Sequence, residues 1–288
     1  LGGFRMPPGA EYVGSTPGRD RKLEAPSLER LNASSVVSRM DVSTGMKYLD
    51  QNKFVQIRTE TFQARMPFPW VNPQNLITDS GYEHLLHNLP DPELFIESFG
   101  KPRAHGQKSH DRLTLEYCDE LPIAAPWKEF IAELRGPDYR DLLHRLIGTR
   151  TFTLKFHWHY TPRGCAISPH CDAEHKLASH IFYMNTEQDW NPTWGGQTLL
   201  LDDNGEFPRE SAPQIKDFDN IIRSKAIGNS SLLFSRRERS WHGMLPLTCP
   251  EGKFRKVFIV VINRRLTVKT RLETLWSRAT HTFRGKKT

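Results

Sequence analysis

The period of hydrophobic and polar positions changes about halfway along the chain. In the first half the spacing is helical. Tyr82, Leu85, Leu86 and Leu89 recur at i, i+3, i+4 and i+7 behind Ser80-Gly-Tyr-Glu83, a capping-box sequence, and Pro90 closes the run. Trp127, Phe130, Ile131 and Leu134 form a second apolar stripe ending at Gly136. Tyr139, Leu142, Leu143 and Leu146 form a third, with Asp138 as its cap and Gly148 at its end. Three amphipathic helices are predicted, each needing a surface to pack on.

From Thr151 the period becomes two. Leu154, Phe156, Trp158 and Tyr160 alternate with Thr153, Lys155, His157 and His159, which predicts a strand with an aromatic inner face and a polar outer one. Further β-rich runs over 180–185, 198–201, 230–235 and 254–263 are separated by clusters of Gly, Pro, Asp and Asn. The expected class is mainly β with flanking helices, the second half closing into a barrel or sandwich. The domain boundaries that follow are an irregular N-terminal extension over 1–61, one domain over 62–265 (helices in 80–148, β-core in 151–265), and a C-terminal tail over 266–288. The extension is rich in Gly, Pro, Ser and Arg, with one short helical stretch near 45–52.

Composition narrows the function classes. No window approaches eighteen consecutive apolar residues, so no membrane span and no membrane partner are expected. The opening residues lack an apolar stretch before a small-residue cleavage site, and Cys118, Cys165, Cys171 and Cys249 follow no CxxC spacing. Reduced thiols and a cytoplasmic location are the expectation. The net charge of +7 sits mainly in the tail, where Arg264 to Lys287 hold eight Lys or Arg against Glu273 alone. Nucleic acid is therefore not an expected partner, apart from contacts by the basic tail.

The chemistry concentrates in Ser168-Pro-His170-Cys-Asp172. The imidazole and the carboxylate are two residues apart and project from one face of extended backbone. His242 lies 72 residues further on, just after the apolar run Leu232-Leu-Phe234 that brings a strand to the same place. Two histidines and one carboxylate leave three coordination positions of an ion open, the facial arrangement of non-haem Fe(II) oxygenases.

Five ordered segments give this pattern its specificity: Tyr160-Thr-Pro-Arg-Gly164, Pro169-His-Cys-Asp172, Ile181-Phe-Tyr-Met-Asn185 leading to Asp189-Trp190, Trp194-Gly-Gly-Gln-Thr198, and Leu232 to His242 followed by Arg255. Over residues 67–264 the sequence resembles the Fe(II)/2-oxoglutarate-dependent dioxygenases, most closely the prolyl hydroxylase branch. The resemblance implies a double-stranded β-helix core of the jelly-roll, cupin-like kind, with His170, Asp172 and His242 holding the iron. It implies that Arg255 pairs with the distal carboxylate of 2-oxoglutarate, that Tyr183 shares that carboxylate, and that Tyr160 lies near the metal-bound end. Because the interval from His242 to Arg255 exceeds the usual family spacing, Lys253 and Lys256 stand as alternatives to Arg255.

The implied cofactors are Fe(II), 2-oxoglutarate and O2, with ascorbate to keep the iron reduced. The implied reaction is hydroxylation of an unactivated C–H bond in a prolyl or other amino-acid-like substrate, whether peptide, protein or amino acid, with succinate and CO2 as co-products. The alternatives are a hydroxylase of a free small molecule or natural-product intermediate, a nucleic-acid oxidative demethylase, and a non-catalytic β-barrel binding module. Arg103, His105, Gln107, His110, Asp111 and Arg112 form a polar cluster where a substrate-covering loop fits, and Arg103, His110 and Arg112 are the candidate substrate contacts. His157-Trp-His159 has zinc-ligand spacing but is read as a polar outer face, Cys171 points away from its ligand neighbours, and Trp190 and Trp194 are read as core.

Overall fold

The computed structural model describes residues 47–265, so most of the extension and residues 266–288 lie outside the described residues. Five helices precede the long strands: α1 (Gln51–Gln56), α2 (Thr59–Gln63), α3 (Asp79–His87), α4 (Ala125–Arg135) and α5 (Pro137–Ile147). Eleven strands are β1 (Trp70–Val71), β2 (Ile96–Ser98), β3 (Arg112–Glu116), β4 (Phe152–Pro162), β5 (Ile167–His170), β6 (Lys176–Tyr183), β7 (Leu199–Asp202), β8 (Asn220–Arg223), β9 (Ser231–Ser235), β10 (His242–Met244) and β11 (Phe254–Arg264). They form a seven-stranded sheet in the order β1-β9-β6-β11-β4-β3-β2 and a four-stranded sheet in the order β5-β10-β7-β8, with antiparallel pairing throughout. Leu200 of β7 packs with Tyr183, Leu232, Phe234 and Val257 of the large sheet, so the two sheets face each other as a jelly roll.

The three predicted helices are present. Pro126 and Pro137 open α4 and α5, and Gly148 ends α5 in the left-handed conformation. The cap of α3 is Thr78, whose Oγ1 accepts the Gly81 N–H at 3.1 Å, two residues before the predicted Ser80. Asp138 lies in the first turn of α5 rather than at its cap.

Two expectations need correction. The extension is not irregular as far as residue 61: α1 and the first residues of α2 lie within it, and Tyr48, Leu49, Phe54 and Ile57 are buried in the same core as α4 and α5. Apolar residues on two one- to two-turn helices show too few repeats to register as a period. The faces of β4 are also reversed. Phe152, Phe156, Trp158 and Tyr160 point outward, onto the helices: Trp127 of α4 meets Trp158 at 5.1 Å and Phe258 at 5.0 Å, and Phe130 meets Phe182 at 5.6 Å. Helices covering the outside of a sheet demand an aromatic face there, and the polar row of Thr153, Lys155, His157, His159 and Thr161 is left facing the barrel interior.

The helix-covered side also buries His180, with Nδ1 2.8 Å from the Tyr139 hydroxyl. Burial pushes its pKa down to about 3. The unfolded chain, at about 6.5, binds the proton first, so this stability is full above pH 6.5 and drains as pH falls toward 3. Between pH 7 and pH 5 His180 alone should remove about 2 kcal/mol. Denaturant titrations of wild type and His180→Asn at both pH values check this: the wild type should lose more stability on acidification, and an equal loss in both proteins contradicts the assignment.

Candidate metal centre

Register brings the two distant histidines together. His242 of β10 is the direct cross-strand partner of His170 of β5, so their side chains share a face and their rings lie 4.2 Å apart. Asp172 follows β5 by two residues. One donor atom from each of His170, Asp172 and His242 lies within 4.8 Å of the others, and this is the one such group of three among the described residues. All three line a cavity of about 260 Å³ between the sheets.

The surroundings fit a divalent cation. His170 Nδ1 is 3.0 Å from the Ser168 carbonyl and His242 Nδ1 is 2.9 Å from the Ser240 carbonyl. A carbonyl only accepts, so both Nδ1 atoms carry the proton and both Nε2 lone pairs are free for a metal. Burial holds both imidazoles below their ordinary pKa and keeps them neutral, as metal ligands must be. For Asp172 burial acts in the opposite sense, but the Lys176 ammonium, by its charge and its hydrogen bond, holds the carboxyl well below the carboxylate range. Lys176 Nζ donates to Oδ1 at 2.7 Å and Ser179 Oγ donates to Oδ2 at 3.0 Å. The three residues could thus offer an ion two neutral donors and one anion, oriented by fixed hydrogen bonds.

Close strand approach is part of this geometry. A Cβ on Gly243, next to His242, would sit 2.8 Å from the Ile167 carbonyl oxygen and 3.4 Å from Pro169 N. Gly243→Ala must therefore push β10 off β5 and open the His170–His242 pair. Overpacking of this kind costs about 1–3 kcal/mol. Equilibrium titration with Fe(II) should show affinity lower by on the order of 10-fold, the effect typical of disturbed ligand support; unchanged affinity would show that the strand contact does not position the ligands.

Arg255 lines the same cavity from β11 and is buried. Its Nε donates to the Gly196 carbonyl at 2.6 Å and Nη2 to Thr198 Oγ1 at 3.2 Å, with no acidic partner among the described residues. The Gly195-Gly196 turn permits this: Gly196 has φ +98°, and a Cβ there would lie 3.3 Å from Arg255 Cδ. Tyr183 does not line the cavity: it is buried behind Thr198, donating to Thr198 Oγ1 at 2.9 Å, with the Arg255 guanidinium 5.4 Å from its ring centre. Lys253 is an exposed turn residue, and Lys256 lies on the helix-covered face, paired with Asp189 at 2.8 Å. Of the three basic candidates only Arg255 reaches the cavity.

Tyr160 does not. It is on the helix-covered face, stacked on Phe95 at 4.3 Å, with its hydroxyl 3.5 Å from the Pro90 carbonyl, and it takes no part in the cavity. Its neighbours His159 and Thr161 line the cavity instead, one residue out of step with the expectation. Arg103, His110 and Arg112 do line the cavity. The His110 ring is 4.5 Å from that of His170, its Nε2 lies 3.0 Å from Ser168 Oγ, and burial, then Arg103 and Arg112, pushes its pKa down to about 3. His105 is exposed and does not line the cavity.

His157 and His159 face the interior rather than the outer surface, and no third ligand joins them among the described residues. Burial raises the Cys171 thiol to about 12, which removes it as a nucleophile. Trp190 is core, packed with Met244 and Leu247. Sequence reasoning missed Lys176, Ser179 and Thr198. Ser179 shares the parity of Tyr183 on β6, a signal that was present; Lys176 announces itself only through the turn after Asp172.

Among the described residues, no helix is long and apolar enough to cross a membrane. No protein-family model and no curated protein matches the sequence. Solved structures do match. A prolyl-4-hydroxylase from Pseudomonas putida superposes with a TM-score of 0.53 at 14% identity, covering 72% of this chain and 99% of its own. A non-haem alpha-ketoglutarate-dependent carbocyclase from nogalamycin biosynthesis gives 0.50 at 9% identity, covering 74% of this chain and 86% of its own. The chain therefore has the double-stranded β-helix fold of the non-haem iron, 2-oxoglutarate-dependent oxygenases, with a His–Asp–His group at its centre.

Proposed function

We propose that the protein is an Fe(II)- and 2-oxoglutarate-dependent oxygenase that hydroxylates an unactivated C–H bond of an amino-acid-like substrate, releasing succinate and CO2. One observation carries this reading: a single cavity holds three convergent metal donors and a buried arginine with no acidic partner among the described residues. A buried guanidinium without a counter-anion is costly, and a dicarboxylate chelating the metal at one end supplies that anion at the other.

Bound iron and 2-oxoglutarate would supply the oxidising power, one oxygen atom of O2 going to the substrate carbon and the other to succinate as CO2 leaves. The protein's own part is positioning. His170 and His242 present neutral Nε2 donors, and Asp172 contributes one negative charge held in place by Lys176 and Ser179. Asp172 would hold the iron with the two histidines, and a carboxylate at that place favours hydroxylation over halogenation. Arg255 and the Thr198 hydroxyl would orient the distal carboxylate, with Tyr183 fixing Thr198. Ile181, Phe234, Ile259 and Val261 give the cavity an apolar wall that limits water. His110, neutral at physiological pH, is suited to hydrogen bonding rather than to proton donation as a cation.

The test is incubation with Fe(II), 2-oxoglutarate, ascorbate and 18O2 against a library of prolyl peptides and amino-acid-like metabolites. A product gaining one labelled oxygen, with succinate formed in equal amount, is expected. Product oxygen drawn from water, or succinate no higher than in the iron-free control, contradicts the proposal.

A further inference from the structure

A second cavity, about 1060 Å³, adjoins the metal cavity. Its floor is the inward row of β3, β4 and β11, and Arg112, His159, Lys176 and Val261 line both spaces. The small cavity suits a metal-chelating keto acid. The large one is the space that opens onto it through those four shared residues.

The cleft is basic, and its charges are unequally matched. Arg112, Lys155, Lys176, Arg264 and Arg265 line it against Glu116 alone. Lys155 pairs with Glu116 and Lys176 with Asp172, each at 2.7 Å. Arg112, at the junction with the metal cavity, donates Nη1 to the His110 carbonyl, while its buried Nε has no partner. Across the junction Arg103 reaches only the Gln107 Oε1, at 3.4 Å. Among the described residues neither guanidinium has a carboxylate partner. Burial holds Arg112 below its ordinary pKa, and the charge on Arg103 adds to this. Two guanidiniums that line one cavity without a carboxylate partner, one of them with a buried unpartnered N–H, suit an anion there.

Under the function proposed above, one anion is already assigned, with Arg255 for its far carboxylate. We infer that the Arg103–Arg112 pair holds a second: the substrate carries an oxyanion, a carboxylate or a phosphate, close to the carbon that is oxidised, and the rest of it lies along the β3–β4–β11 cleft. Hydrogen-bonding groups line that floor, since Thr114 Oγ1 and Asn263 Oδ1 are buried and unpartnered. The cleft contains no Phe, Tyr or Trp, so it lacks the stacking surface that single-stranded nucleic acid uses.

This inference rests on the oxygenase reading, and the experiment separates the two. The full-length protein is loaded with redox-silent Mn(II), and 2-oxoglutarate binding is measured first by calorimetry. Failure at that step counts against the oxygenase reading itself. The 2-oxoglutarate-saturated protein is then titrated with inorganic phosphate, a hexaglutamate peptide, a hexalysine peptide and oligo-dT. Phosphate and hexaglutamate should bind, more weakly as salt rises. Both should lose about 10-fold or more in affinity in the Arg103→Gln/Arg112→Gln variant, since a charge-assisted contact is worth about 1.5–3 kcal/mol, with partial recovery in Arg112→Lys. The tighter of the two ligands distinguishes a phosphate from a carboxylate substrate. Four results overturn the inference: no binding of either anion to the wild type, anions that displace 2-oxoglutarate, affinity indifferent to salt, or oligo-dT binding more tightly than hexaglutamate.

Discussion

Replacing His242 with alanine is expected to abolish 2-oxoglutarate turnover and to weaken Fe(II) binding by roughly 100-fold or more, a loss exceeding that caused by removing a supporting group alone. His242 is one of the three proposed donors, and its ring is fixed three ways. Nδ1 is committed to the Ser240 carbonyl, Phe234 packs at 4.8 Å, and His170 lies across the strand pair. No other His, Cys, Asp or Glu in the described residues forms a second group of this kind to take over. Anaerobic Fe(II) titration of the folded variant, with succinate measured in parallel, reads both effects. Metal affinity and turnover that survive in His242→Ala would remove it from the ligand set.

The second large effect concerns Arg255. Truncating one member of a buried, hydrogen-bonded charge pair costs about 2–5 kcal/mol, so Arg255→Ala should raise the 2-oxoglutarate concentration needed for half-maximal succinate formation by on the order of 100-fold. Arg255→Lys should recover little, because a point charge cannot make the paired N–H contacts of a planar guanidinium. Lys253→Ala and Lys256→Ala should leave the requirement near that of the wild type, since one is exposed and the other paired with Asp189 on the far side of the sheet. A requirement that rises in Lys253→Ala and not in Arg255→Ala would move the carboxylate site.

Much of this arrangement is legible in the sequence, and the failures have one cause. The period-two alternation of β4 and β11 correctly marks strands and correctly separates His159 from Tyr160, but alternation does not say which face is inside. That is decided by what covers the sheet. Once α4 and α5 bring Trp127 and Phe130 to its outer side, the aromatic row must meet them, and Tyr160 leaves the cavity while Thr161 enters it. Arg255 escapes this error because it continues the alternation of Val257, Ile259 and Val261 along β11, and Ile259 and Val261 of that row line the cavity with it. The ligand triad is legible because its two halves carry their own signals, HxD spacing and an apolar strand ahead of His242; their meeting depends on the β5–β10 register, which no local pattern encodes. Lys176 and Ser179 are invisible for a related reason, since each acts on Asp172 only after β6 has folded back beside it.

The most direct measurement is made without any substrate. Fe(II) is added to the protein in the absence of oxygen, followed by 2-oxoglutarate, and visible absorption is recorded. A single ferrous ion per chain is predicted, with a metal-to-keto-acid absorption band that appears only when both are present and is lost in His170→Ala and Asp172→Ala. Should the band never form, or form equally well in those two variants, iron is not held where His170, Asp172 and His242 converge.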